Sequence, residues 1–388
     1  MPSPVHRVVI TQAIDKMQAI NRSEIKVGTP LPWPVYDSQG ALLLKKGYVI
    51  QSEAQLERLF ARGLHAPVGH GVSDHAPHDR NTRPSSPFAE RPILAAQLQA
   101  LLALNTSPKD LMKRLTGLIQ RIITLCDNDP EASLALVHLN PLTDPQQQES
   151  SPYDLILQHA ILCHFIARQL QFDKPRHSLQ IAAALVANLA LVPFQAQLNT
   201  SSHRLTEKQR DVINRHPQLA TEALQKAGFE QRGLLQVVIQ HHERFDGKGY
   251  PSGLSDKEIR LEARILGLVE HYTALISPRA YRPHHTADDA LQLILISMAE
   301  DPEQQAYEAL SACLGPWPPG TLVRLINGEV ALVTRPQSHT AQAVLSPSGE
   351  PYMGGMRRDT SEGDYRILSA ASPGKVPSLN IPSLWGYG

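Results

Sequence analysis

His241-His242-Glu243-Arg244-Phe245-Asp246-Gly247-Lys248-Gly249-Tyr250-Pro251 is the stretch on which the reading of this chain turns. It closes an apolar helical run that starts at about Leu234. Neighbouring residues on a helix project about 100° apart, so two adjacent histidines at its end can lean toward one point. Neutral imidazoles suit Zn, Fe or Mn. The Asp-Gly-Lys-Gly-Tyr-Pro that follows cannot stay helical and must form a shaped loop beside the pair. The plainer alternative is a surface helix end carrying two solvated histidines.

Outward from this stretch the pattern is helical from Pro92 to about Leu314. Ser107 can cap a helix with Pro108 in its first turn, and Leu111, Leu115, Leu118, Ile119 and Ile122 share one face. Further helices are predicted at about Tyr153–Leu170, Ser178–Leu191, Thr206–Gly228, Leu234–Glu243, Leu261–Ile276 and Thr286–Met298. Residues 1–70 read as a small α+β module. Its strands are Leu31–Tyr36 and Ala41–Leu44 around an Asp37–Gly40 turn, and its helix opens at Ser52 with Leu56, Leu59 and Phe60 on the apolar face. Residues 71–92 have the composition of a flexible linker. After the helices, 93–314, comes a small β-rich module, 315–372. Leu322–Ile326 and Glu329–Thr334 flank an Asn327-Gly328 turn, Gln342–Leu345 reads as a third strand, and a loose tail, 373–388, follows. The expected fold class is therefore mainly α, a helical bundle between two small modules.

Lys plus Arg and Asp plus Glu number 37 each, which argues against binding a nucleic-acid polymer. The hydrophobic content of 42% supports a sizeable core, and the 5% aromatic content favours helices over a β-sandwich. Cys126, Cys163 and Cys313 lie far apart without metal-type spacing, which suits a reducing cytoplasm. The start of the chain carries no signal pattern. Ile181 to Phe194, broken by Asn188 and Pro193, is too short to span a bilayer. No organic cofactor motif is evident.

The quoted stretch resembles, completely, the HHE-x-x-DG-x-GYP signature of HD-GYP domains. The neighbourhood is similar in the same order. His159 falls on the family's first metal-ligand histidine. Leu205-Thr206-Glu207 and His216-Pro217 resemble its LT-x-E segment and isolated histidine ligand. Ala263-Arg264-Ile265 and Arg279-Ala280-Tyr281-Arg282-Pro283 resemble its closing elements. The first 65 residues resemble the small module often fused to such domains. The resemblance implies an HD-type helical bundle, cyclic di-GMP as ligand, divalent metal held by histidines and carboxylates, and a bacterial signalling role.

Two places depart from the family. Ala183–Leu191 sits where the family has A-A-L-L-H-D-I-G-K, so the naming His-Asp pair is Ala187-Asn188 and the lysine is Leu191. The family's extra glutamate falls on Leu155, and the aspartate expected after A-R-I is Glu270. By this match His159, His216, His241, His242 and Glu270 remain as ligands, enough for one Fe, Mn or Zn ion and not for a cluster. A bridging carboxylate holds two ions about 3.5–4 Å apart. Asn188 offers one neutral oxygen, and Ala187 and Leu155 offer none.

Several residues keep a second reading. His159 lies between Leu155 and Cys163 at helical spacing and could be a core histidine with one hydrogen bond. His216 before Pro217 could mark only a kink. Glu270 could be a solvated carboxylate. Arg279 and Arg282 share a face and suit ligand phosphates, or form a solvated basic pair. Tyr250 could stack on a guanine or pack, and Asp246 belongs to the same expected ligand loop. Lys248, His164, His271, His284 and His285 read as surface residues. Three functions compete: a non-catalytic or very weak domain that senses cyclic di-GMP or docks a protein through the GYP loop, an active phosphodiesterase with an altered metal site, and a purely structural partner protein. A homodimer is compatible with each.

Overall fold

The structure is a computed structural model. It describes residues 17–20, 25, 27–29, 31, 34–36, 42–45, 47–50, 52–60, 65–67, 86–139, 151–194, 206–277, 285–298, 301, 304–371 and 379–387. The expected turn 37–40, most of the expected linker, His284, Arg279 and Arg282 lie outside the described residues. The chain divides into two compact units, Met1–Thr82 and Arg83–Tyr387.

In the first unit four short antiparallel strands, β1 (Met17–Ala19), β2 (Val35–Tyr36), β3 (Leu42–Leu44) and β4 (His65–Pro67), form a sheet in the order β1-β4-β2-β3. Helix α1 (Glu53–Phe60) starts where Ser52 Oγ accepts the Gln55 N–H at 3.2 Å. It packs Leu56 with Ile20, Ile25, Leu31, Val35 and Ile50.

The second unit is mainly helical. Four of its helices start on a proline after a polar residue: α2 (Pro87–Leu102), α3 (Pro108–Asn128), α4 (Pro130–His138) and α5 (Pro152–Gln169). Proline loses nothing at a helix's first position, where the N–H has no intrahelical partner. Ser107, Asp129 and Ser151 then accept N–H groups that the first turns leave open. The helices α6 (Lys174–Val186), α7 (Glu207–Lys226), α8 (Arg232–Gln240), α9 (Leu261–Ile276), α10 (Ala287–Ser297) and α11 (Gln305–Leu314) complete the described bundle. Its core runs from Leu94 to Leu314, with α5, α6 and α9 at its centre.

The observed elements correct several expectations. The linker assigned to 71–92 is helical from Pro87 onward, and α4 and α11 were not foreseen. Helix α6 stops at Val186, and turns carry the chain through Leu191. The β module holds five strands, β5 (Leu322–Leu325), β6 (Val330–Arg335), β7 (Thr340–Leu345), β8 (Pro351–Asp359) and β9 (Ile367–Ala370), in the antiparallel order β8-β7-β6-β5-β9.

The tail expected to be loose is not loose over 379–387. A short helix, α12 (Ile381–Leu384), and the Trp385 that caps it bury Ile381, Leu384 and Trp385 against Leu322, Val330, Leu332 and Val344 of the sheet, Ala132 and Ala135 of α4 and its cap Leu139. Trp385 also meets Phe88 of α2, ring centroids 5.2 Å apart. The sheet is thus built onto the bundle through a shared apolar layer. Gly320 permits the contact, since a Cβ there would lie 2.7 Å from Ala135 O.

One carboxylate ties this layer together. Asp129 caps α4 by accepting Ala132 N–H at 3.0 Å, accepts both guanidinium arms of Arg335 from β6, and accepts the Tyr387 hydroxyl at 2.6 Å. Burial alone would raise the Asp129 carboxyl. The bonds from Arg335, Tyr387 and Ala132 outweigh it and hold the group below its ordinary value. Its stabilising share is therefore full above an unfolded pKa of about 4 and is lost as pH falls through the lower folded value. Asp129→Ala should lower unfolding free energy by about 2–4 kcal/mol, through the lost cap and an Arg335 left without its main partner. Urea denaturation reads this directly, and a loss under about 0.5 kcal/mol would contradict the assignment.

Candidate metal centre

Helix α8 ends at Gln240, leaving His241 as its cap and His242 in the following turn. The loop beyond is held from inside. Glu243, buried, accepts Ser252 N–H at 2.7 Å and Leu254 N–H at 2.9 Å, and Tyr250 N–H reaches back to His242 O at 3.1 Å. Gly249 lies so close to the preceding turn that a Cβ would sit 2.4 Å from Arg244 N. The Tyr250 ring stacks on His242, centroids 4.7 Å apart at 27°. Asp246 turns to the loop itself: it accepts Lys248 N–H and pairs with Arg244 and Lys248, outside the lining of the cavity described below. Lys248 is exposed, as expected.

Helix α7 brings His216 to the same place, with Pro217 accommodated in the helix. His216 Nδ1 lies 2.6 Å from Ile213 O, and His241 Nδ1 lies 2.6 Å from Val238 O. A carbonyl only accepts, so both Nδ1 atoms carry the proton and both Nε2 atoms present a lone pair. Those two lone pairs face each other at 3.1 Å. With neither proton between them they repel, and a cation between them removes the repulsion. His242 joins them, the donor atoms of the three lying within 4.8 Å of one another.

Glu270 of α9 completes the pole. Its Oε2 is 3.4 Å from His242 Nε2 and 3.7 Å from His241 Nε2, and its Oε1 is 3.7 Å from His159 Nδ1. His159 Nε2 donates to Thr273 Oγ1 at 2.9 Å, because the Thr273 hydroxyl proton goes to Val269 O. His159 Nδ1 is then a buried lone pair without a hydrogen-bond partner among the described residues. Two donors about 2.1 Å from one ion sit about 3.0–3.4 Å apart, close to the spacings found.

The electrostatics point the same way. Burial holds all four imidazoles neutral: His159 and His241 are lowered to about 3 and His216 to about 4, and His242 also falls well below the ordinary value. Burial pushes the Glu270 carboxyl up to about 8, partly offset by the Asn188 hydrogen bond. A nearly buried carboxylate ringed by neutral lone pairs lacks positive charge, and a divalent cation supplies it. The group His216, His241 and His242 could hold such an ion, with Glu270 and His159 beside it.

The departing positions lie beside this pole. Asn188 Nδ2 donates to Glu270 Oε1 at 2.5 Å. Ala187 is fully buried in the core, and Leu155 and Leu191 line the cavity. This cavity, about 1070 Å³, is also lined by Arg210, Arg244, Arg264, Tyr250 and His271. His164, expected at the surface, is instead fully buried on α5, its Nδ1 3.1 Å from His177 Nε2. The sequence pattern around it is apolar on all sides, which was the available signal.

The HD domain family's profile matches residues 91–303. The chain belongs to the HD domain family, as an HD-GYP member. It is 27% identical over 312 residues to the cyclic di-GMP phosphodiesterase PA4108 of Pseudomonas aeruginosa, covering 74% of each chain. It is 29% identical over 211 residues to the cyclic di-GMP phosphodiesterase response regulator RpfG of Xanthomonas campestris pv. campestris, covering 53% of this chain and 55% of that one. The chain thus spans about half of that regulator. A solved HDG"Y"P protein from Bdellovibrio bacteriovorus, Bd1817, aligns with 77% of this chain and 99% of its own at 15% identity and a TM-score of 0.48. No helix among the described residues is long and apolar enough to cross a membrane.

Two positioning residues of this HD-GYP site escaped the sequence reading. Glu243, quoted there only as part of the motif, clamps the loop. Gly267 lets α9 press against the end of α8: a Cβ there would lie 2.3 Å from His241 O. Gly267 is one turn before Glu270, so the close approach carries Glu270 to the histidines. A helical glycine three residues from a candidate ligand was its only signal. Gly267→Ala should cost about 1–3 kcal/mol by overpacking and reduce bound metal. Thermal melts and elemental analysis check both, and an alanine variant with unchanged metal content would refute the positioning role.

Proposed function

We propose that this chain is a cyclic di-GMP receptor whose HD-GYP domain takes one divalent ion at His159, His216, His241, His242 and Glu270 and does not turn the nucleotide over. Its relatives' names, cyclic di-GMP phosphodiesterases, support the ligand. The observation that carries the rest is the Asn188–Glu270 hydrogen bond. A bridging position must hold negative oxygen toward two cations. Asn188 turns an N–H toward Glu270 instead, and an N–H repels a cation. Ala187 adds no donor atom, and Leu155 and Leu191 remove the charges that the family carries there.

A bound divalent ion supplies charge stabilisation and lowers the pKa of a bound water, and phosphodiester cleavage in two-metal sites divides these tasks between two ions. Here the residues orient and neutralise rather than activate. The two backbone carbonyls aim the His216 and His241 lone pairs, Thr273 aims His159, and Asn188 neutralises part of Glu270. Arg210 and Arg244 line the same cavity and complement phosphate charge.

The intact set of four histidines and Glu270 favours one rival, an active phosphodiesterase with an altered site. Elemental analysis with a cyclic di-GMP turnover assay on the same sample separates the two. The receptor reading expects about one Fe, Mn or Zn per chain and binding without pGpG or GMP. Ala187→His combined with Asn188→Asp should raise the metal ratio toward two. Two ions in the unaltered protein, or turnover abolished by His241→Ala, would overturn it.

A further inference from the structure

Resting on the reading that the cavity receives a guanine nucleotide, we infer that Leu155, Leu191 and Val192 seat its purine base while the phosphate faces the histidine pole. The lining of the cavity has two chemically different parts. One is formed by His216, His241, His242 and Glu270. The other is an aliphatic patch of Leu155, Leu191 and Val192, each partly exposed.

The patch adjoins the pole. Leu155 and His159 are four apart on α5, so they share a face one turn apart. Leu191 N–H donates to Asn188 O at 2.9 Å, placing Leu191 one turn beyond the residue that holds Glu270. A flat ring can therefore lie on the aliphatic wall while its attached phosphate reaches the pole within one molecule. Small or polar side chains would suffice if these positions had only lost a task. Leucines facing a cavity of this size instead leave apolar surface in water, which a ring face would cover. The wall also accounts for a cavity that is mostly apolar outside its cationic and histidine edge, the usual composition of a small-molecule site.

The test compares GMP with ribose 5-phosphate, which keeps the phosphate and lacks the base, by equilibrium binding to the metal-loaded full chain. The unaltered protein should prefer GMP at least about tenfold. Leu155→Gln with Leu191→Gln should abolish that preference, with ribose 5-phosphate affinity and metal content unchanged, and Leu155→Met with Leu191→Met should keep it. Should the double glutamine variant not fold, Leu191→Gln alone is read the same way. A preference that survives the glutamines, or is missing from the unaltered protein, overturns the base seat. In the latter case cyclic di-GMP binding without turnover leaves the receptor reading standing. Turnover or a second ion overturns the receptor reading, and the GMP preference still decides the wall.

Discussion

Two backbone carbonyls govern this site. Ile213 O and Val238 O each accept a proton from a histidine Nδ1, which leaves the Nε2 lone pairs of His216 and His241 facing each other at 3.1 Å. Each carbonyl lies three residues before its histidine, so the aim is set within a helix turn, by α7 in one case and the end of α8 in the other. What brings the two turns together is packing. Gly267 admits α9 against His241 O, and α9 in turn delivers Glu270 and, through Thr273, orients His159. The close approach at one glycine thus sets the positions of several donor atoms.

Charge balance gives the site its chemical character. Burial drives the four imidazoles to their neutral form and raises Glu270 to about 8, so the pocket disfavours both a cationic imidazole and a bare carboxylate. A single amide hydrogen bond from Asn188 offsets part of that strain. Aspartate in that place would add a second buried negative charge beside Glu270, tolerable only with more cation nearby. On the proposed single-ion reading, asparagine and one ion form a consistent pair, as aspartate and two ions would. The aliphatic residues at Leu155 and Leu191 continue the same trend away from charge.

The C-terminal sheet is part of the same packed unit. Asp129 joins α4, β6 and the chain end, and His138 of the same helix donates to Pro319 O and accepts the Tyr272 hydroxyl of α9. Tyr272 immediately precedes Thr273, the residue that orients His159. The helix that carries Glu270 and Thr273 is therefore buttressed directly from the junction with the sheet. Burial keeps His138 neutral, lowered to about 4, which preserves this donor and acceptor pattern at ordinary pH.

The local sequence was enough for the family, most helices of the bundle and the loop after His242, because each depends on short-range patterns: periodicity, caps and a contiguous motif. The five candidate ligands it named along the chain line one cavity. It also set Ala187-Asn188 where the family's His-Asp pair is expected. It was blind to the start of α2 and to α4 and α11, although Ser86-Pro87 and Asp129-Pro130 carry the same start signal as Ser107-Pro108, since the apolar residues of α2 and α4 spread around the helix instead of marking one periodic face. It misplaced the end of the chain because burial is a property of what lies opposite, and it misplaced His164 although the apolar residues on every side of it were the signal. Whether Asn188 turns oxygen or N–H toward Glu270, and the role of Gly267, were decided by tertiary structure alone. Those are contacts between helices far apart in the chain, and a distance of a few ångströms across such a gap has no trace in residue order.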